Sequence, residues 1–240
     1  MKAFLLAAGF GTRLRPLTDT VPKCLVPICG KPLLCWWIDL FEKHGIKEVM
    51  INTHYLRDPV ASFIEENNRK GKVILHEAYE PVLLGSGGTI RDNRAFLGDD
   101  KDFMVCYADN LTNTNLTALQ EFHRTHDGIL TMALFHTNFP KQCGIAALDE
   151  EKRIVEFVEK PEEPKSDLAN AGIYIANREL FSYLWEKEIL DFGKDVLPKL
   201  VGKMYGWEDK DYLIDIGTME NYRKAQHEWE AILAKDNPVG

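Results

Sequence analysis

From Lys2 to Phe135, apolar runs of strand length alternate with segments of helical spacing. That rhythm commits a chain to a mostly parallel sheet, because parallel neighbours need a crossover, usually a helix, between them. Residues 2–8 read as a buried strand, followed by a helix over 32–44 with Pro32 in its first turn and Gly45 at its C-terminal cap. "KEVMINT" and "KVILH" are strands on either side of a helix over 58–68, with Asp58 as its N-cap. "GTIRDNRAFL" has helical spacing at Ile90, Arg94 and Leu97, and "DFMVCYAD" is a buried strand ending in Asp109. Asn115 caps a helix over 115–124, ahead of the strand "GILTMALF".

Beyond Phe135 the rhythm changes. "GIAALDEEKRIVEFVEK" is a hairpin turning at 149–152, and "NAGIYIA" is a strand. Short helices follow over 178–184 and 194–201, the second broken near Pro198. "KMYGWE" and "DYLIDIG" are short strands, and Thr218 caps a last amphipathic helix with Tyr222, Ala225, Trp229 and Ile232 on one stripe. The expected fold is α/β: one domain over 1–240, with a doubly wound, mostly parallel, Rossmann-like sheet and an antiparallel addition in the second half.

The first strand runs into "AAGFGTRLRPLTDTVPK". Glycines at 9 and 11 let a ligand approach the backbone without meeting a Cβ. Successive N–H groups in such a turn form a nest for phosphate oxygens, and the C-terminal ends of strands are where open α/β sheets bind ligands. Leu14 stands where the dinucleotide fingerprint needs its third glycine, and no Gly-Lys-Ser/Thr follows, so both common phosphate loops are excluded. Residues 1–31 hold Lys2, Arg13, Arg15, Lys23 and Lys31 against Asp19 alone, a balance of +4, which leaves −12 for the rest of a chain of net charge −8. A positive island in an acidic protein suits a small anionic ligand and argues against nucleic acid.

No apolar run reaches membrane-spanning length, and no secretory leader pattern opens the chain. The five cysteines are odd in number and lack metal-ligand spacing, which fits a reducing cytoplasm. The seven histidines show no ligand spacing either.

Asp109 and Asp215 each end an apolar strand. Either could be a turn or capping residue, but two such carboxylates beside a phosphate turn favour a hard cation such as Mg²⁺. Glu159 and Lys160 end the alternating strand "VEFVEKP", and a surface charge pair is the plain alternative for them. "LLGSGGTI" is a glycine-rich helix entry. Trp36 and Trp37 lie in a helix apolar on most sides, which calls for core packing or, as the weaker alternative, a contact within a homodimer.

"LAAGFGTRLRPLTDTVPK", with "GKPLL" behind it, closely resembles the N-terminal signature of the sugar-1-phosphate nucleotidylyltransferases. The likeness continues through "LGSGGTI", "YADN", "FVEKP", "NAGIYI" and "DIGT", and so covers essentially the whole chain. It implies a nucleotide-diphospho-sugar transferase fold and transfer of a nucleotidyl group from an NTP to a sugar 1-phosphate, releasing pyrophosphate. By the same resemblance, Ala8, Gly9, Gly11, Thr12, Arg13 and Lys23, together with Gly85, Ser86 and Gly87, bind the nucleotide. Gly144, Glu159, Lys160, Asn170 and Gly172 bind the sugar phosphate, and Asp109 and Asp215 hold Mg²⁺. Arg13, Lys23, Asp109 and Lys160 are then the catalytic set, and Arg15 a surface charge.

Ser86 replaces a threonine frequent in guanylyl members, and Cys24 a glutamine usual in thymidylyl members, so base choice stays open. The glycine loop leans toward GTP with mannose or heptose 1-phosphate, ahead of a thymidylyl- or uridylyltransferase acting on glucose 1-phosphate. A metal-dependent glycosyltransferase is disfavoured because Asn110 and Leu111 follow Asp109 where an Asp-x-Asp pair is expected. A non-catalytic relative is disfavoured by the joint presence of Arg13, Lys23, Asp109, Lys160 and Asp215. No hexapeptide repeat of a C-terminal β-helix domain is seen.

Overall fold

The structure, a computed structural model, describes residues 1–236. Four parallel strands form its first half: β1 (Lys2–Leu6), β4 (Glu48–Thr53), β5 (Ile74–Tyr79) and β6 (Asp102–Tyr107), in the order β5-β4-β1-β6. A two-stranded ribbon, β2 (Pro27–Ile28) with β3 (Lys31–Pro32), precedes helix α1 (Leu33–Lys43). The crossovers carry α1, α2 (Arg57–Lys70) and α3 (Gly85–Asp92). Alternate residues of each strand serve opposite cores. Ala3 and Leu5 of β1 face one core with Met104 and Cys106 of β6, while Phe4 and Leu6 face the other with Phe103 and Val105. A sheet covered on both faces needs this continuous apolar run, and the alternating rhythm supplies it.

The antiparallel addition is built around β11 (Leu168–Asn177), which pairs with β6 and with β8 (Leu130–His136). The hairpin of β9 (Gly144–Leu148) and β10 (Ile154–Glu159) joins β11 at Ala169, and β12 (Met204–Glu208) adds to β8 in parallel. A separate pair, β7 (Asn110–Thr112) with β13 (Leu213–Asp215), sets Asp215 opposite Asn110. Helix α4 (Leu116–His123) is capped by Asn115, whose Oδ1 accepts from the Ala118 N–H at 3.1 Å. Thr218 caps α5 (Met219–Asp236) through the Asn221 N–H at 3.2 Å.

Several local expectations are corrected. Asp58 is not the N-cap of α2. Leu56 takes that place in a left-handed conformation, and Asp58 lies in the first turn. α3 starts at Gly85, before the expected spacing, and the Arg94 end of that segment is a separate 3-10 turn. The helix expected over 194–201 is a π-helical turn (Phe192–Val196) followed by a 3-10 turn (Leu197–Leu200), because Pro198 interrupts the donor ladder. Residues 178–183 form a 3-10 helix. Both tryptophans pack within the chain: the half-buried Trp36 sits edge-on against Trp229 of α5 at 5.5 Å, and the buried Trp37 donates from Nε1 to the Asn110 carbonyl at 2.8 Å.

Candidate active site

A cleft of about 520 Å³ opens at the C-terminal ends of β1 and β6, lined by the glycine turn, Lys23, Asn52, Glu80, Ser86 and Asp109 among others. The turn is shaped by Gly11, whose φ of 63° suits glycine. Its carbonyl accepts from the Thr18 hydroxyl at 2.7 Å and from the Leu14 N–H at 2.9 Å. A Cβ at Gly11 would stand 2.9 Å from Thr18 Cγ2, so both the angle and the space call for glycine.

At the mouth of the cleft four charges meet. Lys23 Nζ lies 2.6 Å from Asp109 Oδ2 and 3.5 Å from Asp215 Oδ1, and Arg13 Nη2 lies 3.9 Å from Asp215 Oδ2. The Lys23 side chain is 10% exposed and that of Arg13 66%, so one cation is fixed and the other is free to reach out. The β7–β13 pair makes this convergence, because Asp109 precedes β7 and Asp215 closes β13. The Ile216 N–H adds a bond to the Asp109 carbonyl at 3.0 Å. Partial burial and the neighbouring Asp109 raise the Asp215 pKa above the ordinary carboxylate value, against Lys23, the Gly217 N–H and Arg13. Two carboxylates thus converge on a position that a cation already fills, the Lys23 ammonium. Arg15 points elsewhere, to Asp19 at 3.2 Å on the surface.

The glycine loop forms the opposite wall. Gly85 has φ 77°, and a Cβ there would lie 2.5 Å from the Leu190 carbonyl oxygen. That oxygen accepts from the Gly87 N–H at 2.8 Å, and the Phe192 N–H donates to Ser86 Oγ at 2.8 Å. Gly85 is therefore demanded by the 189–192 segment that crosses it, and a Cβ at Gly87 would press on the Leu190 side chain at 3.0 Å.

Among the antiparallel strands, outside the residues that line this cleft, a Cβ at Gly144 would meet Glu159 Oε2 at 2.6 Å, and one at Gly172 (φ 69°) would meet Tyr107 and Asn110. Asn170 Oδ1 accepts from the Gly172 N–H at 2.9 Å, and its Nδ2 donates to Tyr174 Oη at 2.6 Å. Lys160 is exposed and left-handed (φ 51°), its N–H donating to the Cys143 carbonyl at 3.0 Å. Burial raises the Glu159 pKa, Lys160 opposes the shift and Asp191 adds to it.

A family profile described as nucleotidyl transferase matches residues 2–231. The chain belongs to the nucleotidyl transferase family. It is 33% identical over 224 residues to the mannose-1-phosphate guanylyltransferase of Mycobacterium tuberculosis, aligning 92% of this chain with 62% of that one. It is 32% identical over 250 residues to the UTP–glucose-1-phosphate uridylyltransferase of Synechocystis sp., aligning 97% of this chain with 62% of the relative. The chain thus spans less than two thirds of the length of these two relatives. Among solved structures, HddC from Yersinia pseudotuberculosis superposes with a TM-score of 0.80 at 25% identity, covering 95% of this chain and 99% of that one. The same protein complexed with GMP-PN superposes at 0.79.

The cleft also holds residues with no clear signal in the sequence. Gly217 is one: a Cβ there would stand 2.7 Å from Asp215 Oδ1, 2.9 Å from Arg13 Nη2 and 3.0 Å from Lys23 Nζ. Asp191 is another. It caps the π-helical turn through the Lys194 N–H at 2.8 Å and faces the cleft. The signal for it was "DFGKD", an acid two residues before a glycine, hidden by reading the segment as a helix that starts at Lys194. Asn52 and Glu80, the third and fourth, lie within strand and loop sequence with no local signature. A second recess of about 520 Å³, beside His126 and Tyr205, lies at the opposite end of the sheet and holds none of these residues.

Proposed function

We propose that the chain transfers a nucleotidyl group from an NTP to a sugar 1-phosphate, with GTP and mannose or heptose 1-phosphate as the preferred pair. The observation that carries this is the convergence of Arg13, Lys23, Asp109 and Asp215 at the mouth of a cleft floored by a glycine turn. Likeness to a guanylyltransferase and to a protein solved with GMP-PN supports the choice of base. A uridylyltransferase acting on glucose 1-phosphate is the second reading, favoured by a relative of nearly equal identity. One continuous sheet carrying both halves of the cleft supports a single catalytic domain. The five free cysteines fit a cytoplasmic setting, and no helix among the described residues is long and apolar enough to cross a membrane.

The nucleophile is a phosphate monoester oxygen, already largely ionised at neutral pH because its second pKa is about 6. No general base is needed. The barrier is the approach of two anions, so the site's task is charge compensation and in-line alignment. On this reading Lys23 holds α-phosphate oxygens beside the two aspartates. Arg13 meets charge growing on the departing pyrophosphate. Lys160, just after β10, grips the sugar phosphate, and Glu159 and Asp191 accept from sugar hydroxyls. Ala8, Gly9, Gly11 and Thr12 present main-chain groups to the nucleotide, while Gly85, Ser86 and Gly87 lie against its base. Gly144, Asn170 and Gly172 shape the sugar side.

Asp109 and Asp215 would hold Mg²⁺. Few protein carboxylates are what that ion takes alongside phosphate and water, and the two already share one cation. When bound, Mg²⁺ supplies charge neutralisation to the phosphate oxygens. A matrix of NTPs against sugar 1-phosphates, scored by released pyrophosphate, tests the reading. Turnover with one NTP–sugar pair is expected. Absence of pyrophosphate across the whole matrix would sink the reading.

A further inference from the structure

Thr112, Thr114 and Asp209 form a polar relay outside the cleft that the reaction above does not use. They are 5%, 0% and 7% exposed. The Thr112 hydroxyl donates to the Tyr212 carbonyl at 2.7 Å. A carbonyl only accepts, so the one hydrogen of Thr112 is committed there. Thr112 Oγ1 accepts from the Thr114 N–H at 3.1 Å and also lies 2.6 Å from Thr114 Oγ1. The hydrogen for that contact must come from Thr114. Thr114 Oγ1 in turn meets Asp209 Oδ2 at hydrogen-bond distance. Three oxygen–oxygen contacts stand in line, and the two hydroxyls supply two hydrogens. With Asp209 ionised, Thr114 donates to it, and the two threonine oxygens face each other with no hydrogen between them. With Asp209 protonated, every contact holds a hydrogen, each donated toward Tyr212.

The relay ties the main sheet to the β7–β13 pair. Asp209 follows β12, and its N–H donates to the Leu134 carbonyl of β8 at 2.7 Å. Its Oδ1 accepts from the Asp211 N–H at 3.0 Å. Tyr212 leads into β13, where Leu213 pairs with Thr112 and, two residues on, Asp215 faces Asn110. We propose that Asp209 is a positioning residue: as a neutral acid it donates the proton that holds β13 on β7, and loss of that proton loosens Asp215 beside Lys23. This rests on the charged centre being the place of reaction.

Burial raises the Asp209 pKa above the ordinary carboxylate value and the Asp211 carboxylate adds to it, against the Thr114 hydroxyl and the N–H groups of Asp211 and Lys210. The other charged groups of this region are engaged elsewhere. Glu208 lies 3.5 Å from Lys152 and 3.9 Å from His136, and Glu228 of α5 accepts from Tyr212 Oη at 3.0 Å. His44, at the end of α1, feels Asp211. A carboxyl whose pKa is higher in the folded than in the unfolded chain stabilises the fold below its unfolded value of about 4. That stability is lost as pH rises through the folded pKa.

Asp209→Asn supplies the same hydrogen at every pH, because its Nδ2 donates to Thr114 while its Oδ1 keeps the Asp211 N–H. The experiment follows Tm, and kcat for pyrophosphate release well below Tm, in wild type and variant from about pH 4 to 9. The two Tm values should agree at the acid end, and wild type should fall below the variant as pH rises. Over the same window the ratio of wild-type to variant kcat should drop about two- to tenfold, the range for one buried hydrogen bond, with both KM values little changed. An ionised acceptor at Asp209 predicts the reverse, a variant that loses more stability the higher the pH. That slope, or an Asp209→Asn protein that does not fold, overturns the proposal. A Tm difference of the expected sign beside a kcat ratio flat in pH overturns the positioning role. Thr114→Val cuts the relay and should hold kcat, even at acid pH, near the level wild type reaches at high pH; wild-type kcat throughout overturns the proposal as well. A wild type that releases no pyrophosphate sinks the transferase reading and the positioning role with it, whereas a flat ratio in an active wild type sinks the positioning role alone.

Discussion

Replacing Gly217 by alanine adds one methyl group at the meeting point of three charged side chains. The new Cβ would stand 2.7 Å from Asp215 Oδ1, 2.9 Å from Arg13 Nη2 and 3.0 Å from Lys23 Nζ, whereas ordinary contact begins near 3.4 Å. The carboxylate must therefore move by roughly half an ångström or more, taking with it one of the two groups that surround Lys23. A displacement of about 1 Å in a catalytic constellation can lower turnover on the order of 10²-fold. We expect kcat to fall between about 10- and 100-fold, which is about 1.4 to 2.7 kcal/mol of barrier. Stability should barely change, because the side chains that must yield, Asp215 and Arg13, are 46% and 66% exposed and have solvent to move into. The assay is pyrophosphate release at saturating substrates, with Tm measured alongside. Wild-type kcat in a folded Gly217→Ala protein would refute the inference that these three side chains act from their observed positions.

Arg13→Lys keeps the charge but loses the planar fork, and should lower kcat on the order of 10²-fold, with a smaller change in NTP affinity. Arg15→Lys, whose partner is Asp19 on the surface, should be nearly silent in the same assay. Asp109→Asn is nearly isosteric and should fold normally yet lose most turnover at ordinary Mg²⁺; wild-type activity persisting in excess chelator would remove the metal from the account. Lys160→Ala should raise the KM for sugar phosphate far more than that for NTP, and equal effects would assign the residue to the shared reacting centre. Burial and His123 lower the His126 pKa from 6.5 to about 4, so between those pH values the unfolded chain takes up a proton that the folded one resists. Stability should fall as pH drops from about 6.5 toward 4. His126→Gln, which can still accept from the Gly128 N–H, should flatten that slope in Tm measured against pH, and identical slopes would exclude the residue as its source.

Much of the candidate site was legible because its parts are local. The glycine turn, Arg13 and Lys23 lie within one stretch of chain, and "FVEKP" presents Glu159 and Lys160 at a strand end that alternation alone locates. Gly85 and Gly87 were marked by their loop, although the reason for them, the Leu190 carbonyl, is contributed by a distant segment. Glu80 was silent for the opposite reason. A single acid after a strand has no local signature, and its meaning comes from Asn52 on a neighbouring strand and Leu84 on a loop. Asp191 carries little signal because the helical spacing over 194–201 starts after it, while the turn it caps is π-helical.

The sequence by itself determined the parallel half of the sheet, its two-sided burial and the position of a glycine turn at the end of the first strand. Those features follow from periodicity and from backbone freedom at glycine, and both act over a few residues. The tertiary structure alone decided that Lys23 stands between Asp109 and Asp215. The pairing of β7 with β13 sets that arrangement, and each strand is only three residues long. Strands so short are held by what packs around them, here Trp37 bonded to the Asn110 carbonyl and Asn110 Nδ2 to the Ala171 carbonyl at 2.8 Å. A contact assembled from three distant parts of a chain leaves no periodic trace in any one of them, which is why the charged centre became visible only in the folded molecule.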